Sequence, residues 1–312
     1  MNRGVFLVAI VLIASVFAAI LILVLPRGAA PVGGGGGGVV EPNGGSTSKK
    51  PGKYPRGQTP KAGQEHTNPT DGSVLVWVPG GTFLMGSSDG PEDEQPRHKV
   101  RVAGFWCGKY EITNKQYKKF MGATKYPEPP VWDDSDFAGD DQPVVSLRWG
   151  EAVAYAQWSK CRLLTEAEWE YVASAGKQFE YPTATGQMSH ELANYAGTGG
   201  RDKWADVTSP VGSFPPNPFG IYDLAGNAWE HCSTMYKEYP YSATDGREKL
   251  GAGHAGNRIM RGGCWHFGPE FCTTHYRRHF ASHLRYDFGG LRIATSRIEG
   301  AEAAEGEGES ED

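Results

Sequence analysis

The chain has 312 residues and a formal net charge of −5. Setting apart the seven acids of its last fifteen residues leaves the remainder at +2. So small an imbalance carries no electrostatic footprint for nucleic acid. Forty-three glycines and 21 prolines argue for long loops, while nine tryptophans, all between Val74 and Ser296, supply apolar area for one substantial core.

In chain order, Gly4–Leu25 is an uncharged apolar run, long enough to cross a hydrocarbon core. Residues 1–26 are therefore expected to form a single transmembrane anchor, with the rest of the chain exported to the periplasm or exterior. A cleaved signal peptide ending near Ala29–Ala30 is the alternative. Residues 27–72, rich in Gly, Pro, Ser and Lys, read as a flexible linker, because too few apolar groups offset the ordering entropy. Residues 73–297 form the expected domain, and 298–312 an acidic, solvated tail.

Within the domain, Val74–Pro79 and Thr82–Met85 read as strands around a Gly80–Gly81 turn. Thr113 with Gln116, and Thr165 with Glu168, are spaced as capping boxes for helices over Asn114–Met121 and Glu166–Ala173. A helix over Trp149–Ser159 lies between them. The acids Glu166 and Glu168 belong to that helix start, where they complement its dipole. After Gly176 helical periodicity disappears and turn signals such as Pro215–Pro216–Asn217–Pro218 dominate. Few helices, short strands and many loops predict an irregular, loop-rich α+β domain.

Cysteines number five: Cys107, Cys161, Cys232, Cys264 and Cys272. In an exported protein an odd count leaves at least one thiol free or metal-bound. Cys272, His275 and His279 are spaced as C-x2-H-x3-H, with His283 beyond, which on a helix would suit zinc. No GxSxG, phosphate-loop or HExxH motif is present.

Five segments stand in a telling order: VPGGTFLMGS (Val78–Ser87), KYEITNKQY (Lys109–Tyr117), RLLTEAEWEY (Arg162–Tyr171), DLAGNAWEHC (Asp223–Cys232) and RGGCWHFGPEFC (Arg261–Cys272). Together they resemble the formylglycine-generating enzyme family, the sulfatase-modifying-factor domain. The resemblance implies a fold related to C-type lectins. It also implies two structural calcium sites: one from Asn194 and Asp202 side chains with Tyr195 and Trp204 carbonyls, the other from Asp223 and Glu230 carboxylates with Gly226 and Ala228 carbonyls. Finally, it makes the segment after Cys272 a strand and then a loop, which would scatter the histidines.

The family's oxidases hold copper(I) between two cysteines separated by four residues. The second matches Cys272, but the first falls on Phe267, which has no lone pair to offer. Cys264 stands where the family has serine, Gly268 where it has histidine and Phe271 where it has tyrosine; Trp229 is retained. If Gly268–Pro269 turns, Cys264 and Cys272 would face each other across a hairpin, with Trp265 opposite Phe271, as a disulfide or a two-thiolate copper site. A disulfide from Cys272 to Cys232 is a further possibility. The expected function is a membrane-anchored binding or accessory module without oxidase activity, serving a sulfatase or another exported protein or peptide. The alternative is a formylglycine-generating oxidase that uses Cys264, Cys272 and copper.

Overall fold

The computed structural model describes residues 59–251 and 256–298. The apolar run Gly4–Leu25, most of the expected linker and the tail beyond Ile298 lie outside the described residues. The end of the linker differs from expectation. Glu65–Thr67 forms strand β1, antiparallel to β2 (Val74–Val78), with His66 opposite Leu75. Beyond this ladder, the Asn68 side chain donates to Ser159 O at 2.9 Å. The folded chain therefore includes residues well before 73, because polar residues satisfy their backbone in a sheet edge that composition alone does not reveal.

Strand β3 (Gly81–Met85) does not pair back on β2 around the glycine turn. It joins β4 (His98–Val102) in a separate two-stranded sheet. A side chain on Gly80 would meet Gly104 N at 2.7 Å, so the two glycine-bearing corners pass close together. β2 instead takes β5 (Phe105–Gly108) as its second neighbour. Three helices follow: α1 (Asn114–Thr124), α2 (Trp149–Trp158) and α3 (Glu166–Ser174). Both expected capping boxes are formed, Thr113 accepting from Gln116 N and Thr165 from Glu168 N. Between α2 and α3 lies the short β6 (Arg162–Leu163).

No helix or strand occupies Ala175–Ala228, as the loss of periodicity after Gly176 predicts. Then come β7 (Trp229–Met235), β8 (Asn257–Arg261), β9 (Arg278–Ala281), β10 (Gly289–Gly290) and β11 (Ile293–Thr295). They complete a five-stranded sheet in the order β1-β2-β5-β11-β6 and a four-stranded sheet in the order β10-β7-β8-β9.

The five-stranded sheet is covered on both faces. Along β2, Leu75 and Trp77 join Trp106 of β5 and Tyr117, Phe120 and Tyr155 of α1 and α2. The alternate residues Val76 and Val78 join Phe105 of β5 and Trp169 and Val172 of α3. Burial on both sides explains why β2 and β5 read as continuous apolar runs.

Three buried ion pairs cross this core. Glu166 pairs with Arg277, Glu170 with Arg261, and Glu230 with Arg292, and each of these side chains is at most 2% exposed. Glu166 thus does more than complement the helix dipole, since its carboxylate anchors a guanidinium 111 residues away. Among the described residues no helix is long and apolar enough to cross a membrane.

Candidate functional site

The Arg261–Cys272 segment begins at the end of β8 and runs over two glycines. Gly262 and Gly263 have φ of 102° and 76°, and a side chain on Gly263 would lie 2.4 Å from Cys272 Sγ. Only glycine lets the chain turn so close to that sulfur. The residues between the two thiols then form successive tight turns. Phe267 N donates to Cys264 O (3.2 Å), and Cys272 N donates to Pro269 O (2.9 Å) at the end of a 3₁₀ turn over Pro269–Phe271.

The expected hairpin is therefore absent, because the proline starts a helical turn and no strand ladder forms. Trp265 does not oppose Phe271. It packs on Phe137 at 5.7 Å, while Phe271 packs on Phe267 at 5.2 Å and Tyr276 at 5.1 Å.

Cys264 and Cys272 are both fully buried free thiols, and Cys232 is likewise free and buried. Neither expected disulfide is formed. Burial pushes the Cys264 thiol up to about 12 and raises that of Cys272 further. The formal charges that reach the pair, Asp287 and Glu270, are negative and oppose ionisation as well. Phe267 stands with its ring against Trp229, Phe271, Phe288 and His266. A phenyl ring at 267, where the family oxidases have a thiolate, does not fit their two-thiolate copper(I) centre.

The histidines do not gather. His275 lies 3.5 Å from Glu94, and His279 bonds Asn257 and packs its ring, tilted, on Tyr236. His283 contributes its carbonyl to Arg148. As the resemblance implies, a strand, β9, runs through this segment.

The two oxygen-rich clusters abut. Asn194 and Gly226 form an isolated parallel bridge, and a side chain on Gly226 would lie 2.0 Å from Asn194 O. In the first cluster Asp202 accepts from Trp204 N (3.0 Å) and bonds His190 Nδ1 (3.0 Å), and the His190 ring stacks on Tyr195 at 3.9 Å. Asn194 donates to Val207 O, but its Oδ1 is buried and has no hydrogen-bond partner. In the second cluster Asp223 accepts from Gly212 N (2.6 Å) through Oδ2, whereas its Oδ1 is buried and unpartnered. Burial pushes the Asp223 carboxyl up to about 6.

Glu230 departs from expectation. Its oxygens accept from the Arg292 guanidinium at 2.6–3.1 Å and from Trp169 Nε1 at 2.9 Å. A carboxylate so fully engaged is an ion-pair partner rather than an open ligand.

Sequence reasoning missed Glu111. It accepts from Ala228 N (2.9 Å) and Asn227 Nδ2 (2.6 Å), bracing the AGNAWE turn from 116 residues away. Burial, reinforced by Asp223 and Glu230, raises its pKa. Nothing local marks that role, since its partners lie in another motif. Glu111, Asp223 and Glu230 share one buried cation, Arg292.

Among the described residues no group of three His, Cys, Asp or Glu side chains is arranged to hold a metal ion. A cation here would rely on amide and carbonyl oxygens as well. Two unpartnered buried oxygens beside excess carboxylate fit a hard cation such as calcium.

Comparison with known proteins agrees with this fold and motif order. The sulfatase-modifying factor enzyme 1-like domain family matches residues 59–297, and the chain belongs to that family. It is 31% identical over 211 residues to a protein named serine/threonine-protein kinase pkn1 of Chlamydia caviae, a match covering 61% of this chain and only a third of that protein. It is also 31% identical over 262 residues to the formylglycine-generating enzyme of Thermomonospora curvata, covering 64% of this chain and 85% of that enzyme. Among solved structures, PvdO from Pseudomonas aeruginosa superposes with a TM-score of 0.63 at 30% identity, over 76% of this chain and 99% of PvdO.

Proposed function

We propose that this chain is a membrane-anchored, extracytoplasmic member of the family that lacks the copper oxidase chemistry and works as a binding or accessory module. The observation that carries this reading is Phe267, which puts an aromatic ring packed on Trp229, Phe271 and Phe288 where the oxidases need a thiolate. The partly buried rings of Phe267, Phe271, Tyr276 and Phe288 form an apolar wall. Such a surface suits an exported protein or peptide, a sulfatase among them.

Calcium is structural in this reading. It draws on Asn194, Tyr195, Asp202 and Trp204 on one side and Asp223, Gly226 and Ala228 on the other, with Glu230 left to Arg292. The support is the unpartnered pair Asn194 Oδ1 and Asp223 Oδ1.

One observation favours the oxidase alternative. Cys264 lies close enough to Cys272 that its charge would be felt there. Formylglycine-generating enzymes are also among the relatives. The experiment that separates the readings incubates copper-loaded wild type, Cys264→Ser and Phe267→Cys with a CxPxR peptide and follows peptide mass. No aldehyde from wild type is expected. Aldehyde from wild type that disappears in Cys264→Ser would establish the oxidase instead.

A further inference from the structure

A polar cleft of about 170 Å³ lies apart from the thiols and the oxygen clusters. Its walls come from β3 and the turn after it (Leu84, Ser87, Asp89), from α3 and the following loop (Glu170, Phe179, Glu180), and from Thr274 and His275. One group of this lining and one buried beside it are unexplained by folding alone. Thr274 is 5% exposed, yet its Oγ1 has no hydrogen-bond partner. Glu94, 2% exposed, stands behind the cleft with Oε2 unpartnered except for the imidazole of His275 at 3.5 Å. Leaving such groups dry and unmatched costs on the order of 1–3 kcal/mol each, so they call for a polar ligand.

The charge balance says which sign. Glu170 is neutralised by Arg261, which also holds the segment in place by donating to the carbonyls of Thr274, His275 and Tyr276. Of the lining carboxylates Asp89 and Glu180 remain, with Glu94 behind them against His275, and the one lining guanidinium, Arg97, bonds Gln178. Leu84 and Phe179 add apolar wall, and Lys177 already sets an ammonium 5.6 Å from the Phe179 ring centre. A primary ammonium brings three donors and no acceptor, which matches ionised carboxylates, acceptors only, and the open lone pairs of the Thr274 hydroxyl.

We propose that this cleft binds a primary ammonium group on an alkyl stem, the chemistry of a lysine side chain. The inference does not depend on whether the thiols are active. Binding should strengthen as pH rises through neutrality, because burial pushes the Glu94 carboxyl up to about 7. The groups that face Glu94 are Arg261, Asp93, Glu170, Glu180 and His275, and burial keeps that histidine neutral.

The test is calorimetric titration of the full chain at about pH 8 with N-acetyl-lysinamide and with its neutral Nε-acetyl derivative. Saturable binding of the amine is expected, at least about tenfold tighter than that of the neutral compound. Glu94→Gln should weaken it about tenfold and Thr274→Val severalfold, with both variants melting as folded proteins. Should Glu94→Gln fail to fold, Thr274→Val carries the same comparison. Equal binding of the two compounds, no saturation by tens of millimolar amine, or undiminished binding by the folded variants would overturn the proposal.

Discussion

At residue 267 a single substitution changes what a neighbourhood can do. A phenyl ring has no donor for a metal, and here it is held by Trp229, Phe271 and Phe288. That consequence was legible in the motif alone, because it depends only on which atoms a side chain carries. The protonation of Cys264 and Cys272 was not legible, because it depends on burial and on Asp287 and Glu270. The commitment of Glu230 was equally hidden, since its partner Arg292 lies 62 residues away and outside the turn that suggested calcium.

Glu94 gives a pH test at the same scale. Its folded carboxyl is raised to about 7 from an ordinary 4.5, so between those values the folded state binds more protons than the unfolded chain. The contribution is fully present below about pH 4.5 and is lost as pH rises through about 7, at most about 3 kcal/mol. Urea denaturation across that range should therefore show wild type losing stability relative to Glu94→Gln. Parallel pH profiles would contradict this.

Among the elements, the helices were the most legible, because their starts are written in local chemistry. Both Thr-x-x-Gln/Glu boxes form where their spacing places them, and Thr113→Ala and Thr165→Ala should each lower stability by about 1 kcal/mol in chemical denaturation. The pairing of strands was less legible. β2 and β3 are adjacent in sequence but join different sheets, because the partners that cover them, β5 and β4, come later.

The buried pairs between elements were not legible at all. Arg261 links β8 to Glu170 of α3 with both side chains out of water. Arg261→Met alone leaves a buried carboxylate unanswered and should cost about 3–5 kcal/mol. Arg261→Met with Glu170→Leu should recover much of that loss. Equal losses in the single and double variants would mean the pair itself carries the stability.

For the whole molecule, the long stretch Ala175–Ala228 without helix or strand needs fastening. Internal hydrogen bonds to Asn227, Asp202 and Asp223 supply part of that. If a cation supplies the rest, calcium at a hundredfold excess over its dissociation constant adds about 2.7 kcal/mol. The protein should then melt earlier in chelator, and Asp223→Ala should erase most of the difference. Identical melting curves would remove calcium from the account. The anchor proposed for Gly4–Leu25 is tested separately by carbonate extraction of membranes, where release into the wash would contradict it.

The central claim is that this domain keeps the family's fold without its copper centre, and copper(I) affinity tests it most directly. Competition against a chromophoric copper(I) chelator should show wild type unable to draw the ion away. Phe267→Cys, which puts a thiol at the position matched to the oxidases' first cysteine, should gain measurable binding. Stoichiometric capture of copper(I) by wild type, abolished by Cys264→Ser, would contradict the claim.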